Sequence, residues 1–151
     1  MSIAKAIIAA MNRKTERHWE KIYVIVDIHD TIVHACYDRP ETFDYFPSAR
    51  EALQLMTSRD DVCLILWSST YRDKLAMYLT RFAADGIRFD YVNANPEVTN
   101  TALSDFEAKL YYNVGIDDKF GFDPETDWTS VLEVLSSYKF SIINNPLSIF
   151  N

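Results

Sequence analysis

The chain has 151 residues, 48% of them hydrophobic and 14% aromatic, with a formal net charge of −7. That composition excludes a disordered chain, and with only 3 Gly and 5 Pro there is no flexible linker to divide it, so one domain is expected. The acidic balance argues against nucleic acid and anionic lipid as partners, and a phosphorylated substrate would need a local cation to offset the field.

Residues 3–20 place Ile3, Ile7, Ile8 and Met11 at helical spacing, which predicts an amphipathic lead-in helix within residues 1–21, ahead of a single domain over 22–151. The apolar start is followed by Arg13, Lys14 and Arg17 with no small-residue cleavage site, so a signal peptide is not expected. The helix reads as a packing or oligomer-contact element. The run Ile22-Tyr23-Val24-Ile25-Val26 predicts a strand buried on both faces, as in a parallel sheet.

Pro47 opens a predicted helix to about Thr57, with Ala49, Ala52, Leu53 and Met56 on one face. Val62–Trp67 is a second buried strand, and a helix from about Tyr71 to Ala84 closes at Asp85-Gly86. Short strands follow at Phe89–Val92 and Tyr112–Ile116. A helix over Thr126–Ser137 and a strand at Phe140–Ile143 complete the pattern. Strands alternating with helices predict an α/β fold, a three-layer sandwich around a mostly parallel central sheet. The aromatic-rich stretch Tyr37–Phe46 reads as local packing, and His18 and His34 as surface or packing residues.

Cys36 and Cys63 show no ligand spacing. Cys63 lies in an apolar run and is expected to be a buried thiol; reduced cysteines suit a cytoplasmic location. No apolar stretch is long enough to span a membrane.

The polar residues that break this pattern fall at the carboxyl ends of predicted strands, where open α/β sheets bind ligands. Strand one ends in Asp27-Ile28-His29-Asp30-Thr31, strand two in Ser68-Ser69-Thr70, and strand four in Asp117-Asp118, with Lys109 ahead of it and Lys119 beside it. These supply a carboxylate nucleophile, hydroxyl donors, a cation and further carboxylates, the parts phosphoryl transfer needs. Hard oxygen ligands favour Mg²⁺ over zinc.

In this order the motifs resemble those of the haloacid dehalogenase-like superfamily of hydrolases. Val24–Thr31 matches its apolar strand followed by D-x-D-x-T, and Leu64–Ser68 its strand ending in a hydroxyl. Lys109 fits its lysine, Gly115–Asp118 its acidic pair, and Phe46–Leu53 its helix after the first motif. The likeness covers about residues 22–125. It implies a Rossmann-like fold of the capless type and a magnesium-dependent phosphatase acting through an aspartyl-phosphate. Asp27 would be the nucleophile. The His29 carbonyl and Asp117 or Asp118 would join Asp27 around Mg²⁺. Ser68, with Ser69 beside it, and Lys109 would hold the phosphoryl oxygens, and Thr31 would brace the loop.

One departure bears on the chemistry. Phosphatases of the superfamily carry an Asp two residues after the nucleophile to protonate the leaving group; here that residue is His29, and Asp30 lies one position too far along. His29 could serve as the acid at neutral or mildly acid pH. The alternatives are a phosphotransferase, or a metal- and phosphate-binding protein that has lost turnover. A phosphorelay receiver uses similar parts, but its acidic pair comes first in the chain, whereas here it comes last. The segments between motifs leave no room for a large cap, so the site is expected to be open, serving a large substrate or a lid from a neighbouring subunit of a homo-oligomer.

Overall fold

The structure, a computed structural model, describes residues 2–35 and 43–138. The predicted strand Phe140–Ile143 and Cys36 lie outside the described residues. The elements in chain order are α1 (Ile3–Glu16), β1 (Ile22–Val26), α2 (Ala49–Ser58), β2 (Val62–Leu66), α3 (Arg72–Ala84), β3 (Tyr91–Val92), β4 (Val114–Ile116), a 3₁₀ turn (Asp118–Phe120) and α4 (Asp127–Ser137).

The four strands of the described residues form one all-parallel sheet in the order β3-β2-β1-β4. This is the α/β, Rossmann-like arrangement that the alternation predicts. Val26 is in register with Leu66 and with Ile116, and Leu66 with Val92. The residues that follow these positions therefore emerge together along one edge. The chain builds β1, β2 and β3 in one direction and then crosses to β4 on the other side of β1, so the order reverses between β1 and β4. Crevices at such switch points are where open α/β sheets hold ligands.

Strand side chains alternate between two packing layers. Ile22, Val24, Val26, Leu64, Leu66, Val114 and Ile116 join the main core with apolar residues of α1, α2, α3 and α4, among them Ile7, Met11, Leu53, Phe82 and the fully buried Trp128. Tyr23, Ile25, Cys63, Ile65 and Tyr91 face the other way, against Leu110 and Tyr112. The third layer is thus an irregular segment of the β3–β4 connection rather than a helix. Cys63 is buried, as expected, and its thiol is pushed up to about 12 by burial. No described helix is long and apolar enough to cross a membrane.

Among the element ends that differ from expectation, three have a clear local reason. The lead-in helix stops at Glu16 because His18 adopts the left-handed conformation, φ 59°, and Trp19 N–H reaches back to the Lys14 carbonyl, a Schellman-type closure. β3 begins at Tyr91 because the Leu64 N–H is given to the Asp90 carboxylate at 2.9 Å instead of a strand carbonyl. β4 begins at Val114 because the Tyr23 N–H donates to Asn113 Oδ1 at 2.7 Å. Near strands' ends a side-chain acceptor has replaced the ladder. Phe43, Tyr45 and Phe46 do pack locally, with Phe43 edge-on to Phe82 and His34 stacked on Phe46 at 4.0 Å.

The turn into β2 is tied to the last helix by Arg59, which is 4% exposed. Its guanidinium pairs with Asp61 through both carboxylate oxygens, at 2.8 and 2.9 Å, and donates to the backbone carbonyls of Leu135 and Tyr138 at the end of α4. Arg59→Met removes those donors while keeping much of the volume. It should cost about 2–3 kcal/mol and lower Tm by roughly 5–10 °C in a thermal melt; a change within error would show that the clamp carries no stability.

Candidate active site

β1 delivers Asp27 to the carboxyl edge, where its N–H still bonds the Ile116 carbonyl of β4 at 3.0 Å. The chain then folds back within a few residues. Asp30 takes the left-handed conformation, φ 58°, and the N–H groups of Thr31, Ile32 and Val33 converge on the Ile28 carbonyl. The Asp30 carboxylate is used structurally, accepting the Ala35 N–H at 3.1 Å. Asp30 therefore serves the turn, and the position that the D-x-D pattern assigns to an acid is held by His29.

The turn buries Thr31 completely. Its hydroxyl lies 3.0 Å from Asp27 Oδ2 and 3.2 Å from Asp118 Oδ1, and accepts the Asp118 N–H at 3.0 Å. The Thr31 carbonyl accepts the Trp128 indole N–H at 2.7 Å, fixing the turn to α4. Thr31 thus ties the loop to α4 and to the acidic pair. Asp117 is 7% exposed and its Oδ1 accepts the Lys119 N–H at 2.9 Å.

One carboxylate oxygen each from Asp27, Asp117 and Asp118 lie within 4.8 Å of one another. Burial, reinforced by the charge of Asp117 and opposed by the Thr31 hydrogen bond, pushes the Asp27 carboxyl up to about 6. Asp117 is also raised, chiefly by burial. Among the described residues no Lys or Arg makes an ion pair with any of the three. An all-oxygen donor set with surplus negative charge suits a hard divalent cation such as Mg²⁺, which would relieve the repulsion.

Asp27 and Asp118 open onto a cavity of about 350 Å³ whose wall also includes His29, Ser68, Ser69 and Thr70, with Asp30, Tyr71, Lys74, Tyr78 and Lys119 completing it. The end of β2 is pinned by a reciprocal pair: Ser68 N–H donates to Asn93 Oδ1 at 2.8 Å, and Asn93 Nδ2 donates to the Ser68 carbonyl at 2.7 Å. Ser68 Oγ in turn donates to Thr70 Oγ1 at 2.9 Å and accepts the Thr70 N–H. His29 Nε2 lies 2.8 Å from the Tyr78 hydroxyl, the two rings edge to face. Burial lowers its pKa from the ordinary 6.5.

The structure therefore brings together Asp27, His29, Thr31, Ser68, Ser69, Asp117 and Asp118. It does not bring Lys109 to them. Lys109 lines a separate depression with Asp105, Phe106 and Tyr112. The connection from β3 to β4 crosses from the carboxyl edge of the sheet back to the amino edge, and at Lys109 it has already left the carboxyl edge where the cavity lies. The lysines in the cavity wall are Lys74 and Lys119. Lys119 adjoins the acidic pair, a signal visible in the sequence. Lys74 and Tyr78 share one face of α3 at i, i+4 spacing, and only the position of α3 reveals them.

No protein-family model and no curated protein matches the chain. A solved structure described as that of a conserved protein from Bacteroides thetaiotaomicron is similar, with 27% identity and a TM-score of 0.60 over 83% of this chain and 99% of that one. Fold and cluster together define an α/β, Rossmann-like protein with an acidic site at the carboxyl edge of its sheet.

The raised Asp27 pKa has a measurable sign. Its folded value, about 6, exceeds the ordinary 3.8, so its contribution is fully present below pH 3.8 and is lost as pH rises through 6. Asp27→Asn removes that penalty. Discounted for partial exposure, it should stabilise the metal-free protein at neutral pH by about 1–2 kcal/mol, or roughly 3–6 °C in Tm. The gain should vanish near pH 4 and shrink when Mg²⁺ is added. A variant less stable than wild type at neutral pH would contradict this electrostatic reading.

Proposed function

We propose that this chain is a magnesium-dependent phosphohydrolase that works through an aspartyl-phosphate on Asp27. The observation that carries the reading is the convergence of Asp27, Asp117 and Asp118 within 4.8 Å at the switch point of a parallel sheet. The motif resemblance to the haloacid dehalogenase-like superfamily supports it.

In this reading the Asp27 carboxylate attacks phosphorus, forming a new P–O bond as the bond to the alcohol breaks. The Ser68 hydroxyl and the ammonium groups of Lys74 and Lys119 hold the phosphoryl oxygens. His29, as the imidazolium, gives a proton to the departing oxygen. Water then attacks the phosphorus of the acyl phosphate, releasing inorganic phosphate and restoring Asp27. Mg²⁺, held by Asp27, Asp117 and Asp118 with the His29 carbonyl as the resemblance implies, would supply charge neutralisation to this site.

The weak point of catalysis is proton supply. Asp27 must be ionised while His29 must be protonated, yet burial raises the first pKa and lowers the second. Burial thus disfavours the protonated form of His29 that leaving-group protonation needs. That observation favours a second reading, a protein that binds metal and phosphate and turns over slowly.

With Mg²⁺ present, Asp27→Asn should reduce phosphatase activity by about three orders of magnitude or more without unfolding the protein. Wild-type-like turnover in that variant would rule out the mechanism. Hydrolysis of alkyl phosphates, which need a protonated leaving group, should peak at mildly acid pH and decline above it. Aryl phosphates, with good leaving groups, should keep their rate to higher pH. Parallel profiles for the two ester types would remove His29 as the acid. Mg²⁺ binding without turnover of any ester would favour the binding-protein reading.

A further inference from the structure

A second cavity lies at the other end of the sheet, beside the start of β1 and the approach to β4. Its volume is about 590 Å³ and its wall carries four aromatic side chains, Trp19, Tyr23, Phe106 and Tyr111. Tyr111 stands nearly perpendicular to both of its neighbours, at 81° to Tyr23 with centroids 5.8 Å apart, and at 82° to Phe106 with centroids 5.3 Å apart. Both contacts are edge to face, so Tyr111 fixes the orientation of its two neighbours in the cleft wall.

The charged groups in the same wall are Glu20, Glu97 and Lys21. Glu97 is held by three donors: Lys21 Nζ at 3.0 Å and the Tyr23 hydroxyl at 3.1 Å on one oxygen, and the Tyr91 hydroxyl at 2.6 Å on the other. Those hydrogen bonds keep its carboxyl below the ordinary range, so it is anionic. Lys21 is spent on Glu97, and Glu20 leaves the wall with a net negative charge. The overall charge of −7 adds a field of the same sign.

Ring faces are negative, the local charge is negative, and the long-range field is negative; the site is built for a cation. A small metal ion is a poor fit, because the oxygens of Glu97 are already engaged and aromatic rings cannot replace its hydration shell. A large, weakly hydrated cation has no such penalty, and the volume lies within the range of small-molecule sites. We propose that this aromatic-walled, net-acidic cleft at the amino end of the sheet binds an organic cation, an alkylammonium or guanidinium group. The proposal is independent of the chemistry assigned to Asp27.

The test is an NMR titration of the full chain following the Trp19 indole N–H. The probes are choline, acetyl-arginine amide, and 3,3-dimethylbutan-1-ol as the uncharged isostere of choline. A cation should give saturable shifts at Trp19 with Kd on the order of 1 mM, while the isostere binds at least about tenfold more weakly. Preference for choline would assign a free quaternary ammonium, and preference for the arginine amide a peptide-borne guanidinium. Phe106→Leu, which keeps an apolar side chain but removes a ring face, should weaken the cation about fivefold and leave the isostere unchanged. Equal binding of choline and its isostere, shifts matched by sodium chloride, or no saturation by either cation would overturn the proposal. So would a folded Phe106→Leu protein that binds the cation as tightly as wild type.

Discussion

The hydrogen bonds of one buried hydroxyl, that of Thr31, organise the carboxyl edge of this protein. It sits against Asp27 and Asp118 at once and accepts the Asp118 N–H. Without such a bridge, the side chains that end β1 and β4 would face each other as like charges with no shared donor between them. The position of Thr31 depends in turn on the left-handed Asp30, which lets the loop reverse, and on the Trp128 indole, which holds its carbonyl. A turn, a helix and two strands therefore share one set of contacts. Trp128 is fully buried in the main core, so the site and the core are stabilised by the same residue.

Parallel topology turns that local arrangement into a functional asymmetry. Every strand points its carboxyl end the same way, so Asp27, Ser68 and Asp117 reach one edge although they are far apart in the chain. The cross-strand register places the last residues of β1, β2 and β4 side by side, and the clamp between Ser68 and Asn93 carries the alignment to β3. The other edge gathers what precedes or opens the strands: Lys21, Tyr23, Tyr111 and Asn113. The irregular layer between β3 and β4 leaves room there for a cleft that a packed helix would have filled.

Much of this was legible in the sequence, because continuous β-branched runs and helical spacing of apolar residues are direct consequences of burial. The runs at 22–26 and 62–66 became the two central strands, and Ala49, Ala52, Leu53 and Met56 became the buried stripe of α2. Polar residues that abruptly end an apolar strand were the signal for the site, and Asp27, Ser68 and Asp117 all lie where that signal put them. The misplacement of Lys109 has the same root as the success: periodicity identifies a strand, but a lysine's distance along the chain does not say which end of the strand it will flank. Tyr78 was invisible for a different reason. An aromatic residue at helical spacing reads as core, and it is core, 3% exposed, yet its hydroxyl reaches His29. The shortened β3 and β4 were hidden because Asp90 and Asn113 substitute side-chain oxygens for backbone ones, which no apolar pattern records.

In the proposed function Mg²⁺ would bind the three carboxylates, and in its absence burial keeps Asp27 partly protonated near pH 6. Proton release on Mg²⁺ binding measures this directly, by calorimetry near pH 6 in buffers of different ionisation enthalpy. Wild type should release about half a proton per ion from Asp27, whose carboxyl is pushed up to about 6, beside any from Asp117, and Asp27→Asn should release markedly less. Mg²⁺ binding with no proton release, or with the same release in both proteins, would contradict it.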